Sequence, residues 1–320
     1  MDVHAKYAPF ARRDCYGPMA CSIPRAEKLR LALLWCTLLP LAKALAALVA
    51  LCSFSVVCSL ARAAPPRVRQ ALLPPLAHAH VRAVLFCCGF LWIRRRRVGP
   101  PPKRGVTPVA VVSNHVSWSD ILVHMAECFP SFVAKATIRK LPLVGVISES
   151  MGCIFVERET RAANGTGAAA LVAQRLREKA ADPAAVPPLL LFPEGTTTNG
   201  AFLLPFKTGA FLTGAPVQPV LLRYGDNPRR FSPAWETVTA PRHFFLTFSQ
   251  LYQPLEVVYL PVYEPSAEEA KDPALYAAGV RAAMLRASGL APSELTLADK
   301  RAYQVELLAD WAARNKNKAA

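Results

Sequence analysis

PVAVVSNHVSWSDILVHMAEC, residues 108–128, changes character twice along its length. Residues 108–113 form an apolar run that reads as a buried strand. Ser117-Trp118-Ser119-Asp120 then has the S-x-x-D form of a helix start, ahead of the apolar Ile121, Leu122, Val123 and Met125. The stretch therefore predicts a strand, a turn and a helix over 119–128. On one continuous helix the five-residue step from His115 to Asp120 would turn roughly 500° and leave the two about 140° apart. They can meet only if His115 lies in the turn and Asp120 in the first helical turn. A bland reading stays open beside the catalytic one: Asp120 as a helix-cap acid and His115 as a polar turn residue.

The alternation continues outward. Strand-like runs are predicted at 108–113, 131–136, 152–157, 188–192, 216–222 and 255–262, with helical patterns at 119–128, 140–150, 166–180, 207–213, 242–252 and 273–287. Strands alternating with helices argue an α/β fold, a mixed and mostly parallel sheet flanked by helices. In such folds the functional loops lie beyond the carboxyl ends of strands.

Upstream the pattern is different. Residues 1–30 read as a polar, basic tail without a cleavable signal. Residues 31–60 are almost wholly apolar and predict an N-terminal membrane-anchoring helical segment, broken by Pro40 and Lys43. Ala44–Leu60, at 17 residues, is at the short end for a span. Basic residues flank both sides, so a true span and a re-entrant hairpin with both ends in the cytosol both fit. Residues 61–105 are expected to hold an interfacial helix over 81–93, ending in Trp92 and Arg94–Arg97, and then a turn-rich linker. The division closes with an α/β domain over 106–265 and a C-terminal helical region with a basic tail over 266–320.

The net charge of +16 suits nucleic acid or an anionic membrane. No nucleic-acid motif accompanies it, while apolar segments lie beside the basic ones, so nucleic acid is not expected as a partner. The nine cysteines lie mostly within apolar runs and form no C-x-x-C pair, which reads as reduced, packed thiols. Neither a metal site nor an EF-hand loop is expected.

Four blocks follow one another at strand ends: Asn114-His115 with Asp120, Gly152-Cys153-Ile154-Phe155 with Arg158, Phe192-Pro193-Glu194-Gly195-Thr196, and the proline-bearing GAPVQPV of 214–220. In this order they resemble the glycerolipid acyltransferase family, and the stretch from Phe192 to Tyr224 with RFSPAWET (230–237) resembles its plant-type lysophosphatidylethanolamine branch. The resemblance implies acyl transfer from acyl-CoA, as co-substrate and without a further cofactor, to the free hydroxyl of a lysophospholipid. His115 is then the expected base, histidine titrating nearest neutral pH, and Asp120 its orienting partner. Arg158, with Gly195 and Thr196, is expected to hold the acceptor phosphate. Glu194 is expected to hold Arg158 or an acceptor hydroxyl. Lys135 and Lys207 are candidates for oxyanion or CoA contacts. Other acceptors (lysophosphatidate or glycerol 3-phosphate), CoA-independent transacylation and a catalytically silent lipid-binding protein are the alternatives. Lys316 and Lys318 stand third and fifth from the last residue, as in a K-x-K-x-x signal read by coat proteins. With the apolar segment they predict an endoplasmic reticulum membrane protein whose catalytic domain faces the cytosol.

Overall fold

A computed structural model describes residues 3–17, 22–100, 106–157, 167–183, 186–225 and 227–319. The chain opens with α1 (Val3–Lys6), α2 (Arg25–Cys36), α3 (Leu39–Ala61) and α4 (Pro66–Cys87). There follow β1 (Ile93–Arg97), β2 (Ala110–Ser113), α5 (Ser119–Cys128), β3 (Ser131–Lys135), α6 (Val144–Ser150), β4 (Ile154–Val156), α7 (Ala168–Ala181) and β5 (Leu189–Leu191). The remainder is β6 (Phe202–Leu203), β7 (Val217–Tyr224), α8 (Ala240–Phe248), β8 (Leu255–Tyr259), α9 (Pro273–Ser288), β9 (Ala291–Pro292) and α10 (Leu297–Ala319).

Seven strands make one sheet in the order β1-β8-β7-β2-β5-β3-β4, and β6 pairs β9 apart from it. Every neighbouring pair in the large sheet is parallel except β7 with β8. Side chains alternate between two cores, as a sheet covered on both faces requires. Val220, Leu222, Leu255 and Val257 pack with residues of α3, α4 and α5 on one face. Val112, Leu189, Leu221 and Val258 pack with α7 and α9 on the other. The predicted mixed, mostly parallel sheet flanked by helices is the observed one.

The N-terminal third differs in detail from its expectation. The break in the apolar segment falls at Thr37–Leu38, where Leu38 takes a left-handed φ of 57°. Pro40 instead sits in the first turn of α3, where its missing N–H and fixed φ fit. Lys43 does not break α3 either: its ammonium caps the carbonyls of Phe248 and Gln250. At 23 residues and a mean hydropathy of 2.3, α3 is long and apolar enough to cross a membrane. One side of it (Ala47, Phe54, Cys58) is buried on α4, while Leu41, Leu45, Leu48, Val49, Val56 and Leu60 stay exposed.

Of the expected interfacial helix at 81–93 only 81–87 is helical, as the end of α4, which stops at Cys87, and Ile93 already opens β1. That helix carries Pro74 and Pro75 inside it, which hid its first half from a periodicity reading. Burial of Leu73, Ala77, Val81, Val84 and Leu85 between α3 and α5 offsets the lost backbone hydrogen bonds. The four arginines end no helix. They form the edge strand β1, parallel to β8.

Nor is the N-terminus a free tail. Phe10, Ala11 and Arg12 are fully buried, and Arg12 clasps Asp14 through two hydrogen bonds of 2.7 and 2.6 Å. At the other end α10 runs to Ala319, so the backbone at Lys316 and Lys318 is helical rather than a free tail. The expected 140–150 helix is a 3-10 turn over Ala136–Lys140 followed by α6, and 207–213 shrinks to a 3-10 turn, Thr208–Phe211. The described cysteines are free thiols. The turn-rich linker at 101–105 lies outside the described residues.

Candidate active site

β2 lies between β5 and β7 and runs parallel to both, so their carboxyl ends open at one edge of the sheet. Asn114 continues the β2–β7 ladder with its side chain. Its amide donates to the Leu222 carbonyl at 3.1 Å and accepts the Leu222 N–H at 2.8 Å. The next residue, His115, is clamped through its backbone to the loop after β5. Its N–H donates to Glu194 Oε1 at 2.9 Å, and its carbonyl accepts the Thr198 N–H at 2.9 Å.

The imidazole is held as firmly. Its ring stacks on Phe192 at 4.0 Å with 13° between planes, and Nδ1 lies 2.8 Å from Asp120 Oδ2. Asp120 is fully buried in the first turn of α5, the location the S-x-x-D spacing predicts. Oδ2 also accepts the N–H groups of Val116 at 2.6 Å and Ser117 at 2.9 Å, the second being the acid half of a capping box. Oδ1 accepts the hydroxyl of Tyr224, at the end of β7. Burial and the Asp120 charge push the Tyr224 hydroxyl well above its ordinary range, which keeps it a donor. With Asp120 accepting throughout, Nδ1–H is the donor of that hydrogen bond, and in the neutral imidazole the lone pair is then on Nε2. The side chain is 19% exposed, and Nε2 has no partner among the described residues.

Glu194 has a task in the backbone that the sequence did not suggest. It is 3% exposed, Oε1 takes the His115 N–H, and Oε2 takes the Leu204 N–H at 2.9 Å. Both oxygens accept backbone N–H groups, so the residue shapes the loop. Burial pushes its carboxyl up to about 8, against the opposing pull of those two N–H groups. Arg158, its other expected partner, lies outside the described residues.

Gly195 has a left-handed φ of 70°, and any Cβ there would run into the Lys207 amine. The left-handed backbone demands glycine, whereas the Lys207 amine is the movable end of its side chain. Thr196 follows, half-buried, and Lys207 is exposed with its backbone N–H on the Pro193 carbonyl at 2.8 Å. Lys135 is the exposed last residue of β3, on the same carboxyl edge.

Sequence reasoning missed Tyr224, Phe192 and a support beneath the loop. The last is a set of long-range contacts. Asn199 Nδ2 donates to the carbonyls of Ala8 and Ala11 at 2.7 Å each. Lys300 of α10 donates to Glu236 Oε1 at 2.7 Å and to the Thr197 carbonyl at 3.0 Å. The other buried histidines are held neutral: burial lowers His124 to about 4 and His243 to about 3.

Comparison with known proteins bears on the same residues. A family model described as Acyltransferase matches residues 95–223. The lysophospholipid acyltransferase LPEAT1 of Arabidopsis thaliana is 40% identical, over 96% of this chain and 87% of that protein. Lysophosphatidylcholine acyltransferase 1 of Danio rerio is 34% identical over 82% of this chain, which spans about half of that relative (51%). The crystal structure of PlsC, the 1-acyl-sn-glycerophosphate acyltransferase of Thermotoga maritima, shares the fold, with a TM-score of 0.51, 20% identity, and coverage of 80% of this chain and 97% of that one. A histidine with a free Nε2, fixed by a buried aspartate at the edge of this sheet, thus stands within a sequence match that runs nearly end to end, and the chain belongs to the acyltransferase family.

Proposed function

We propose that the protein acylates a lysophospholipid at its free hydroxyl with acyl-CoA as donor, the acceptor being lysophosphatidylethanolamine or lysophosphatidylcholine. The observation that carries the chemistry is the unpartnered Nε2 of His115 above an Nδ1 pinned to Asp120. Nε2 takes the proton of the acceptor hydroxyl as that oxygen attacks the thioester carbonyl. The imidazolium so formed is stabilised by Asp120, which stays ionised. Collapse of the tetrahedral intermediate breaks the C–S bond, and the CoA sulfur leaves with the proton from Nε2. No acyl-enzyme is needed, because the substrate supplies the hydroxyl that a catalytic serine would otherwise provide.

The choice of acceptor is supported by the relatives whose names are lysophospholipid and lysophosphatidylcholine acyltransferases. In this reading Arg158, together with Gly195 and Thr196, holds the acceptor phosphate. Lys207, whose ammonium crosses Gly195 and makes no ion pair among the described residues, faces the oxyanion or the CoA phosphates. The apolar α3 supports a membrane location. We place the protein in the endoplasmic reticulum with its site toward the cytosolic acyl-CoA pool, Lys316 and Lys318 serving as a coat-protein signal. Replacing both lysines with serine should release protein to later secretory membranes, and an unchanged distribution would refute that part.

Microsomes carrying the chain or its His115→Ala variant, given labelled acyl-CoA and a panel of lysophospholipids, test the main proposal. The expected result is His115-dependent labelling of phosphatidylethanolamine or phosphatidylcholine. Labelling confined to lysophosphatidate or glycerol 3-phosphate acceptors would overturn the assignment of acceptor, and no His115-dependent transfer would overturn the activity.

A further inference from the structure

Across the ends of β7, β8 and β1, one face of the sheet holds more cations than it answers. Register sets Arg223 opposite Glu256 and Glu256 opposite Arg94, so the three side chains form one row on one face. Arg96, two residues further along β1, reaches the same carboxylate: its Nε lies 3.2 Å from Glu256, and Arg223 Nη1 lies 3.7 Å away. Two guanidinium groups therefore reach a single acid, and Arg94, opposite it in register, makes no ion pair among the described residues. On the opposite face the arginines of the same strand are matched. Arg95 pairs with Glu127 at 2.8 Å, and Arg97 lies over the Tyr259 ring at 5.0 Å.

A cavity of about 400 Å³ opens at this row, walled by Trp92, Arg94, Arg223, Tyr224, Tyr252 and Glu256. Trp92 is 75% exposed and Tyr252 50%. Phe86, Leu91 and Leu251 are exposed close by in the chain. The same corner is tied to the place from which the apolar hairpin departs. Lys43 of α3 donates to the Phe248 and Gln250 carbonyls, Arg30 of α2 to the Ser249 carbonyl at 2.8 Å, and Gln253 to the Cys88 carbonyl at 2.7 Å. Exposed tryptophan and tyrosine beside surplus arginine is the composition of a membrane–water interface. Forked guanidinium donors are suited to phosphate oxygens.

From this geometry we propose that the cavity between Arg94 and Arg223 binds the phosphate of an anionic bilayer phospholipid, with Trp92 and Tyr252 against its glycerol and upper acyl region. The ligand is a lipid of the surrounding leaflet rather than either substrate of the transfer reaction. It seats the catalytic domain at the bilayer surface and sets its tilt. Charge complementarity favours an anionic head group over a zwitterionic one. The row has one acid for three arginines, which leaves no second carboxylate in it to attract a choline or ethanolamine cation.

Tryptophan quenching by brominated lipids tests this on the purified full chain in neutral detergent micelles, with the Trp92→Phe protein subtracted to isolate the Trp92 signal. Brominated phosphatidate should quench Trp92 at a lower mole fraction than brominated phosphatidylcholine. Arg94→Gln with Arg223→Gln should weaken that preference by roughly 25-fold, about fivefold for each arginine, the equivalent of about 1 kcal/mol apiece at an anionic surface. Arg97→Gln, on the matched face, should retain it. Arg94→Gln alone, which breaks no described ion pair, gives the same answer if the double variant loses its fold. Equal quenching by the two lipids, or a preference that survives loss of both arginines, would overturn the proposal. So would displacement by millimolar inorganic phosphate, which would make the site one for a free anion.

Discussion

Glu194 Oε1 accepts the main-chain N–H of His115 at 2.9 Å. The acid of the FPEG block thereby sets the backbone of the base. Its carboxyl is pushed up to about 8 by burial, well above its value in the unfolded chain. The folded state thus binds the extra proton across the window between the two values, and stability attached to Glu194 is fully present below about pH 4.5 and lost as pH rises through about 8. Glu194→Gln has no proton to lose. Its thermal midpoint should lie below the wild-type value at pH 5, and the gap should narrow by pH 8.5. A gap that widens with pH would mean that the carboxylate is already ionised at pH 5.

His115→Ala removes the imidazole whose Nε2 has no partner among the described residues, and Asp120→Asn replaces an acceptor that serves two N–H groups, the imidazole and Tyr224. Transfer should fall by roughly 10²–10⁴-fold in either variant. Membrane association should not change, because α3 lies outside the loop. Turnover measured with saturating acyl-CoA checks this, and near-normal turnover in His115→Ala would refute the mechanism.

Tyr224→Phe isolates the phenol that sequence reasoning missed. The hydroxyl donates to Asp120 Oδ1, a hydrogen bond to a charged acceptor and so worth roughly 1.5–3 kcal/mol. Asp120 orients the base without touching the acceptor lipid, so the loss should appear in kcat, by roughly 10-fold or more, with KM for both substrates little changed. A change confined to KM would place Tyr224 against a substrate instead.

The residues legible in the sequence are those whose chemistry is local. The strand–turn–helix over 108–128 made the His115–Asp120 contact legible because five residues of chain, an S-x-x-D start and an apolar run allow it locally. Glu194 was located, but its two backbone N–H partners, from segments 79 and 10 residues away, leave no mark in the sequence. Tyr224 was invisible for the same reason, lying 104 residues from Asp120 and meeting it only through the β2–β7 register. α4 was half missed because Pro74 and Pro75 contradict a helix that tertiary burial holds together. The buried Arg12 read as a tail charge because its partners Ser232 and Ala234 are more than 200 residues distant.

The same distance separates Lys300 from the loop it supports. Its ammonium lies 2.7 Å from Glu236 Oε1, with the two side chains 9% and 3% exposed, and it also contacts Thr197 through the hydroxyl at 2.7 Å and the carbonyl. Burial raises the Glu236 carboxyl and the lysine charge opposes that rise. Thr197 adjoins Thr198, whose N–H holds the His115 carbonyl, so α10 reaches the base through two peptide steps. Lys300→Met should destabilise the fold by roughly 3–5 kcal/mol, because it strands a buried carboxylate. Adding Glu236→Gln removes that stranded charge, and the thermal midpoint should recover most of the loss. Turnover should recover less, since the double variant still lacks the ammonium on Thr197 that fixes the loop under His115. Thermal midpoint and kcat measured on the single and double variants decide between support of the fold and support of the site. If both quantities return together to wild type, Lys300 holds the fold and has no separate part in placing His115.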